Sequence, residues 1–333
     1  MSLIVSLLPV VLFLVFLIYI DSFKLVSVRT IVVCFFYGML TTVVAYFINT
    51  WLCGFLGMEF TPYSRLISPV VEELLKAGLV LLLVMRRKVG FMIDAAIYGF
   101  AVGTGFAVAE NIYYIMTAEN TGVILWMVRG FGTALMHGGG TTLFAVLMLS
   151  AISRGYPSSR GFFWGILPAV VLHSVYNHFL VSPVISTLFI FVSFPLLVML
   201  MFKHSESKLQ QWLEIEFDTE VQLLNKMRQG GFLATKAGAY LVSVKDRFSS
   251  EVVLDMYCFI RLYLELSIKA KRNLMLRENG FSAIIEPDTV NQLKELEALK
   301  KQIGKTGWIA LSPLIRMDYR DLWKLNQLKE QPR

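Results

Sequence analysis

Charge is what this sequence has least of: only 17% of its 333 residues are Asp, Glu, Lys or Arg, against 56% that are hydrophobic. Soluble globular domains carry about 25% charged residues, so this balance excludes an ordinary water-soluble chain and points to an integral membrane protein. Cysteine is also scarce. Cys34, Cys53 and Cys258 lie far apart with no CxxC pair, which excludes a disulfide framework and a thiolate metal site. No HExxH motif occurs, so the helix-borne zinc-peptidase signature is missing. The opening stretch MSLIVSLLPVVLFLVFLIYI lacks the basic n-region and small-residue cleavage site of a secretory signal, and it reads as a retained first membrane helix. There is no internal repeat, no low-complexity tract and no phosphate-binding glycine loop. The glycines of YGFAVGTGFA (Tyr98–Ala107) and HGGG (His137–Gly140) follow no strand, and they suit close packing of membrane helices instead. A net charge of +7 does not signal nucleic acid, because loop residues and a mixed-sign tail account for it.

What charge there is sits unevenly. The first 202 residues hold 10 of the 31 Lys/Arg and 7 of the 24 Asp/Glu, which predicts a transmembrane domain over 1–202 and a polar tail domain over 203–333. A hydrocarbon core of about 30 Å needs roughly 20 apolar residues per helix. Segments at about 2–20, 28–53, 66–85, 90–117, 123–152, 161–182 and 184–202 qualify. The predicted fold class is therefore all-α: a polytopic membrane bundle of about seven transmembrane helices with a small helical cytoplasmic C-terminal domain. Loops after the first, third and fifth segments carry Lys24, Arg29, Arg86, Arg87, Lys88, Arg154 and Arg160, while those after the second, fourth and sixth carry only Arg65. Basic loops stay in the cytoplasm, so the N-terminus is expected outside and the tail inside. Amphipathic patterns near 207–229, 249–278, 288–303 and 312–330, punctuated by Gly230–Gly231, Pro287 and Gly304, predict helices in the tail. Such helices suit a protein partner better than catalysis.

Polar side chains inside the predicted spans are costly, at least about 2.5–3.5 kcal/mol per charge at the bilayer centre, so they are functional candidates. They are Glu72, Glu73 and Lys76 on the third segment, Asp94, Glu110 and Asn111 on the fourth, Arg129 and His137 on the fifth, and His173, Asn177 and His178 on the sixth. Helical rise places Glu72, Glu110, His173 and Asn177 in one layer of the outer half of the bilayer, roughly 8–14 Å below the surface. Spacing of i, i+4 puts Lys76 within reach of Glu72, and puts His173 and Asn177 on one face. Structural readings compete: Glu72 pairing with Lys76, Glu110 with Arg129, His173 with Asn177. Asp94, near the cytoplasmic end, and His178, off the His173–Asn177 face, are better read as structural. Peptide hydrolysis needs a base for water, donors for the tetrahedral oxyanion and an acid for the leaving amine, and this set contains them. The same Glu/His set also suits a metal that activates water.

EELLK (Glu72–Lys76), FAVAEN (Phe106–Asn111), HGGG at His137 and HSVYN (His173–Asn177) together resemble the EExxK, FxxxEN and histidine motifs of PrsW-type intramembrane proteases, relatives of the CAAX-prenyl endopeptidases and bacteriocin-processing enzymes. The resemblance spans about 66–180, with four motifs in family order. It implies a bacterial inner-membrane endopeptidase acting on a membrane-protein substrate, an anti-sigma factor in the best-known branch. It implies Glu72 as general base and His173 and Asn177 as oxyanion donors, with Glu73, Glu110 and His137 completing the catalytic candidates. The CAAX relatives place a histidine where this chain has Glu110, which leaves His137 as a substitute. A glutamic mechanism with no cofactor is favoured. If zinc is present, Glu110, His137 and His173 are its expected ligands. Two other readings stand beside the protease: an ion-coupled transporter using the buried carboxylates, and a catalytically silent scaffold acting through its tail.

Overall fold

The computed structural model describes residues 2–21, 23–117, 122–284, 286–315 and 317–328, and every regular element among them is helical. The chain divides into two compact units, Met1–Glu206 and Ser207–Arg333.

In the first unit, α1 (Ser2–Tyr19), α2 (Val28–Leu56), α5 (Met92–Thr117), the run Val123–Ser153 and α9 (Pro183–Arg228) are long and apolar enough to cross a membrane. The other two expected spans are helices as well, α4 (Ser68–Met85) and α8 (Ser158–His178), but they fall short of that apolarity. Glu72, Glu73 and Lys76 account for α4, and Arg160, His173, Asn177 and His178 for α8. The run Val123–Ser153 comprises α6 (Val123–Met127), a π-helical turn over Val128–Thr133, and α7 (Ala134–Ser153). A short helix that the sequence pattern did not predict, α3 (Phe60–Leu66), links α2 to α4. Helix α8 stops four residues before its expected end, because Phe179 turns into the left-handed region at φ 47°.

Helix α5 is the buried centre of this unit, and glycines let its neighbours close on it. A Cβ on Gly38 of α2 would overlap the Val102 carbonyl oxygen, and one on Gly105 would overlap that of Phe35. Gly103 meets the His137 carbonyl and Gly138 of α7 in the same way, so backbone contact at this crossing sets His137 beside α5. Thr42 Oγ1 donates to the Phe106 carbonyl at 2.9 Å and Tyr37 OH to the Leu75 carbonyl at 2.8 Å, tying α2 to α5 and α4. The π turn lies where Gly130 packs on the Val5 carbonyl and Gly132 on Thr187 and Tyr176. Asp94 opens α5: its carboxylate accepts from the amides of Gly90, Phe91 and Ala95. These bonds to backbone amides are in keeping with a structural role.

In the second unit, α10 (Lys236–Val244), α11 (Ser250–Glu278), α12 (Thr289–Leu311) and α13 (Tyr319–Gln327) follow the end of α9. Helix α9 continues through the polar residues after Phe202, because no glycine or proline breaks it before Gly230. Leu293, Leu296, Leu299 and Ile303 form the buried stripe of α12, packed with Met256, Phe259 and Tyr263 of α11. Gly304 was expected to end a helix and instead kinks α12, at φ 71° and ψ 177°. The stretch expected over 312–330 is helical only over α13; its positions 316, 329 and 330 lie outside the described residues. Helix α10 was not expected from the sequence pattern.

Candidate active site

A cavity of about 910 Å³ opens within the first unit, and Glu72, Glu110, His137, His173 and Asn177 all line it. Five of the six candidate residues thus converge from α4, α5, α7 and α8. The sixth, Glu73, sits behind the wall and is 1% exposed.

Helix α4 turns its two adjacent glutamates to different neighbours. Glu72 Oε1 accepts from Ser68 Oγ at 2.5 Å, one turn earlier, and from Asn49 Nδ2 of α2 at 3.3 Å. Asn49 also donates to Ser68 Oγ, and Tyr63 OH of α3 donates to Asn49 Oδ1 at 2.9 Å. These bonds fix one carboxylate oxygen. The other, Oε2, lies 3.8 Å from His173 Nε2. Glu73 Oε1 accepts from Lys76 Nζ at 2.5 Å and from His173 Nδ1 at 2.8 Å. Lys76 therefore pairs with Glu73 at i, i+3, not with Glu72 at i, i+4 as the spacing alone suggested. Both side chains of that pair are buried, whereas Glu72 turns to the cavity.

Lys76 Nζ also donates to His137 Nδ1 at 3.1 Å and lies 4.8 Å from the ring centre of Phe106. The His137 and His173 rings stand edge to face, 4.8 Å apart and 89° between planes. On its far side His137 Nε2 meets Glu110 Oε2 at 3.2 Å, and Arg129 Nη2 approaches the same oxygen at 3.0 Å. Arg129 comes from the π turn, donates through Nε to Asn111 Oδ1, and covers the Tyr114 ring at 3.8 Å. Asn177 Nδ2 donates to the Ser64 carbonyl at 2.9 Å, and Ser174 donates to that of Arg65, which ties α8 to α3. His178 bonds the Ser174 carbonyl of its own helix, in keeping with a structural role.

Sequence reasoning passed over Asn49, Tyr63 and Ser68. A signal for Asn49 existed, since it is the one amide side chain in the stretch 28–53. Ser68 stands i, i+4 before Glu72, the spacing of a side-chain contact.

Glu72, His137 and His173 each bring one ligand atom within 4.8 Å of the others, and two histidines with a glutamate are a donor set of catalytic zinc. Glu110, expected in that set, is engaged by Arg129, and Glu72 stands in its place. The bonds around His137 do not suit a ligand, however: Nδ1 faces an ammonium, which only donates, and Nε2 faces the Glu110 carboxylate, which only accepts.

No curated protein and no solved structure matches the chain. One family does: residues 27–202 match the PrsW family, described as intramembrane metalloproteases.

Proposed function

Since the chain belongs to the PrsW family of intramembrane proteases, we propose that the cavity hydrolyses a peptide bond of a membrane-protein substrate, with Glu72 as general base. The observation that carries this reading is the asymmetry of Glu72: one oxygen is held by Ser68 and Asn49, and the other faces His173 across the cavity wall. His173 donates through Nδ1 to Glu73, so its Nε2 presents a lone pair beside Glu72 Oε2. A water donating one hydrogen to each of these acceptors turns its own lone pairs toward a substrate carbonyl. As its oxygen bonds to the carbonyl carbon, Glu72 takes the proton and passes it to the leaving nitrogen while the C–N bond breaks. Asn177 uses one amide hydrogen on Ser64 and has a second for the developing oxyanion. In this reading His173 accepts first, and becomes a donor only once protonated. The mechanism is of the glutamic type, and no step passes through a metal.

The same reading takes α4 and α8 as the third and sixth of seven spans, the N-terminus as outside and the tail as cytoplasmic, following the loop charges. It puts the site in the outer half of a bacterial inner membrane and the cut near the substrate's extracytoplasmic edge, an anti-sigma factor being the substrate that the family resemblance suggests. The tail recruits or regulates. The test is a purified Glu72→Gln variant reconstituted with a single-span substrate: cleavage should vanish while the protein keeps its elution volume and thermal transition. Cleavage at the unaltered rate overturns the assignment. Activity that survives a strong chelator supports the glutamic form, and loss restored by added zinc overturns it.

A further inference from the structure

Among the described residues Lys76 is the cation that touches both Glu73 and His137, and its chemistry constrains two histidines at once. An ammonium has three hydrogens and no acceptor. In this structure they have three directions to serve: Glu73 Oε1 at 2.5 Å, His137 Nδ1 at 3.1 Å, and the face of Phe106 at 4.8 Å. Lys76, Glu73 and His137 are each no more than 1% exposed, so water does not compete for these bonds.

We propose that Lys76 is a positioning residue that locks His137 and His173 into opposite tautomers. His137 must offer Nδ1 as acceptor to the ammonium, which leaves its proton on Nε2, directed at Glu110 Oε2 at 3.2 Å. Glu73, anchored by the same ammonium, accepts from Nδ1 of His173, which leaves Nε2 of that ring as the acceptor beside Glu72. One imidazole is thereby fixed as a donor that holds the Glu110–Arg129 pair, and the other as a proton acceptor at the cavity. A metal ion finds a lone pair on Glu72 and on His173 but none on His137 while Lys76 stays in place. The third member of the Glu72–His137–His173 cluster is in this way kept from ligation by a neighbour on α4.

This inference deepens the hydrolytic reading and rests on it for its consequence, yet its test needs no substrate. The sequence has four histidines, His137, His173, His178 and His204, so selective ¹⁵N labelling of imidazoles in the full-length protein gives four ring systems, assigned by single replacement. The expected spectrum shows a neutral His137 protonated on Nε2 and His173 protonated on Nδ1, with His137 unmoved by added Zn²⁺. Lys76→Met should free the Nδ1 lone pair of His137 for Zn²⁺ and shift its ¹⁵N signal while Glu110 keeps the proton on Nε2, and Lys76→Arg, also a pure donor, should restore the wild-type pattern. A wild-type His137 protonated on Nδ1 or on both nitrogens, a His137 that loses its Nε2 proton to Zn²⁺, or a folded Lys76→Met variant with unchanged shifts overturns the proposal. Should Lys76→Met fail to fold, the wild-type spectra with and without Zn²⁺ decide it. Failure of the Glu72→Gln test would instead remove the hydrolytic reading and leave these tautomers as they are.

Discussion

Both units of this chain bury lysine completely, and they do so for different ends. Lys76 in the first unit and Lys271 and Lys324 in the second have no exposed surface. In the second unit Lys271 Nζ lies 2.9 Å from Glu216 and 3.1 Å from Glu220, above the Trp212 ring, and Lys324 pairs with Asp321 at 2.5 Å. Ser267 Oγ bonds Glu220, and Tyr263 OH donates to Asp321 at 2.8 Å. Burial, reinforced by the Asp321 carboxylate, pushes the Tyr263 phenol well above its usual range, so it stays a donor. Each acid there is matched by a cation or a hydroxyl, and the network joins the end of α9 to α11 and α13. The cluster around Lys76 differs by containing two histidines and a carboxylate oxygen left facing a cavity. Full pairing makes a joint; a pairing that stops one acceptor short leaves a group able to take a proton.

That contrast is open to test. The largest effect is expected at His173: His173→Gln should lower cleavage by about 10²–10⁴-fold, the usual share of a positioned acid–base group. Hydrogen exchange over α11 in the same full-length variant should not change; loss of protection there would show that the two clusters are not independent. Next comes Lys271→Met, which takes the cation from Glu216 and leaves Glu220 only Lys324, at 3.4 Å. Losing a charge-assisted hydrogen bond of this kind costs about 1.5–3 kcal/mol, to be read as lost exchange protection over α11 in the full chain, with cleavage retained below the transition. Asn49→Ala should act more mildly. It removes hydrogen bonds to Glu72 and Ser68 and one from Tyr63; the one that holds the base accounts for about 1–1.5 kcal/mol, hence roughly a tenfold fall in kcat with KM little altered. The smallest effect belongs to Glu286, whose carboxyl is held below its usual range by hydrogen bonds from Arg272 and Lys269. A depressed carboxylate adds stability above its unfolded pKa and loses it as pH falls through the lower folded value. Denaturation of the wild type should therefore steepen only below about pH 4.3, and Glu286→Gln should flatten that acid limb by less than about 1 kcal/mol.

The helices were legible because apolar runs and their breaks repeat at span length, and the candidate residues were legible because polar groups are costly in such runs. Local spacing could not choose partners. Lys76 reaches Glu72 at i, i+4 and Glu73 at i, i+3 with equal ease on an isolated helix, and the choice falls to Glu73 because Ser68 and Asn49 already engage the Glu72 carboxylate. The ends of α8 and α12 were misjudged for related reasons. Phe179 takes a left-handed conformation that its residue type does not announce, and Gly304 bends a helix whose buried stripe continues beyond it to Gly307 and Leu311. Short α3 and α10 escaped notice because 7 and 9 residues show too little of a 3.6-residue period.

Helix α4 also has a history written into its partners, namely the order in which the ribosome makes them. Glu73 and Lys76 neutralise each other within one turn of the same helix. Glu72 meets Ser68 on the same helix and Asn49 from 23 residues earlier, both already synthesised when α4 arrives. His173 follows 100 residues after Glu73 and joins the bundle near its completion. The partners that neutralise Lys76 and hold Glu72 are thus supplied first, and His173, which completes the proposed site, is supplied last. A chain made only as far as α7 already carries these pairs and lacks the His173 on which the proposed site depends.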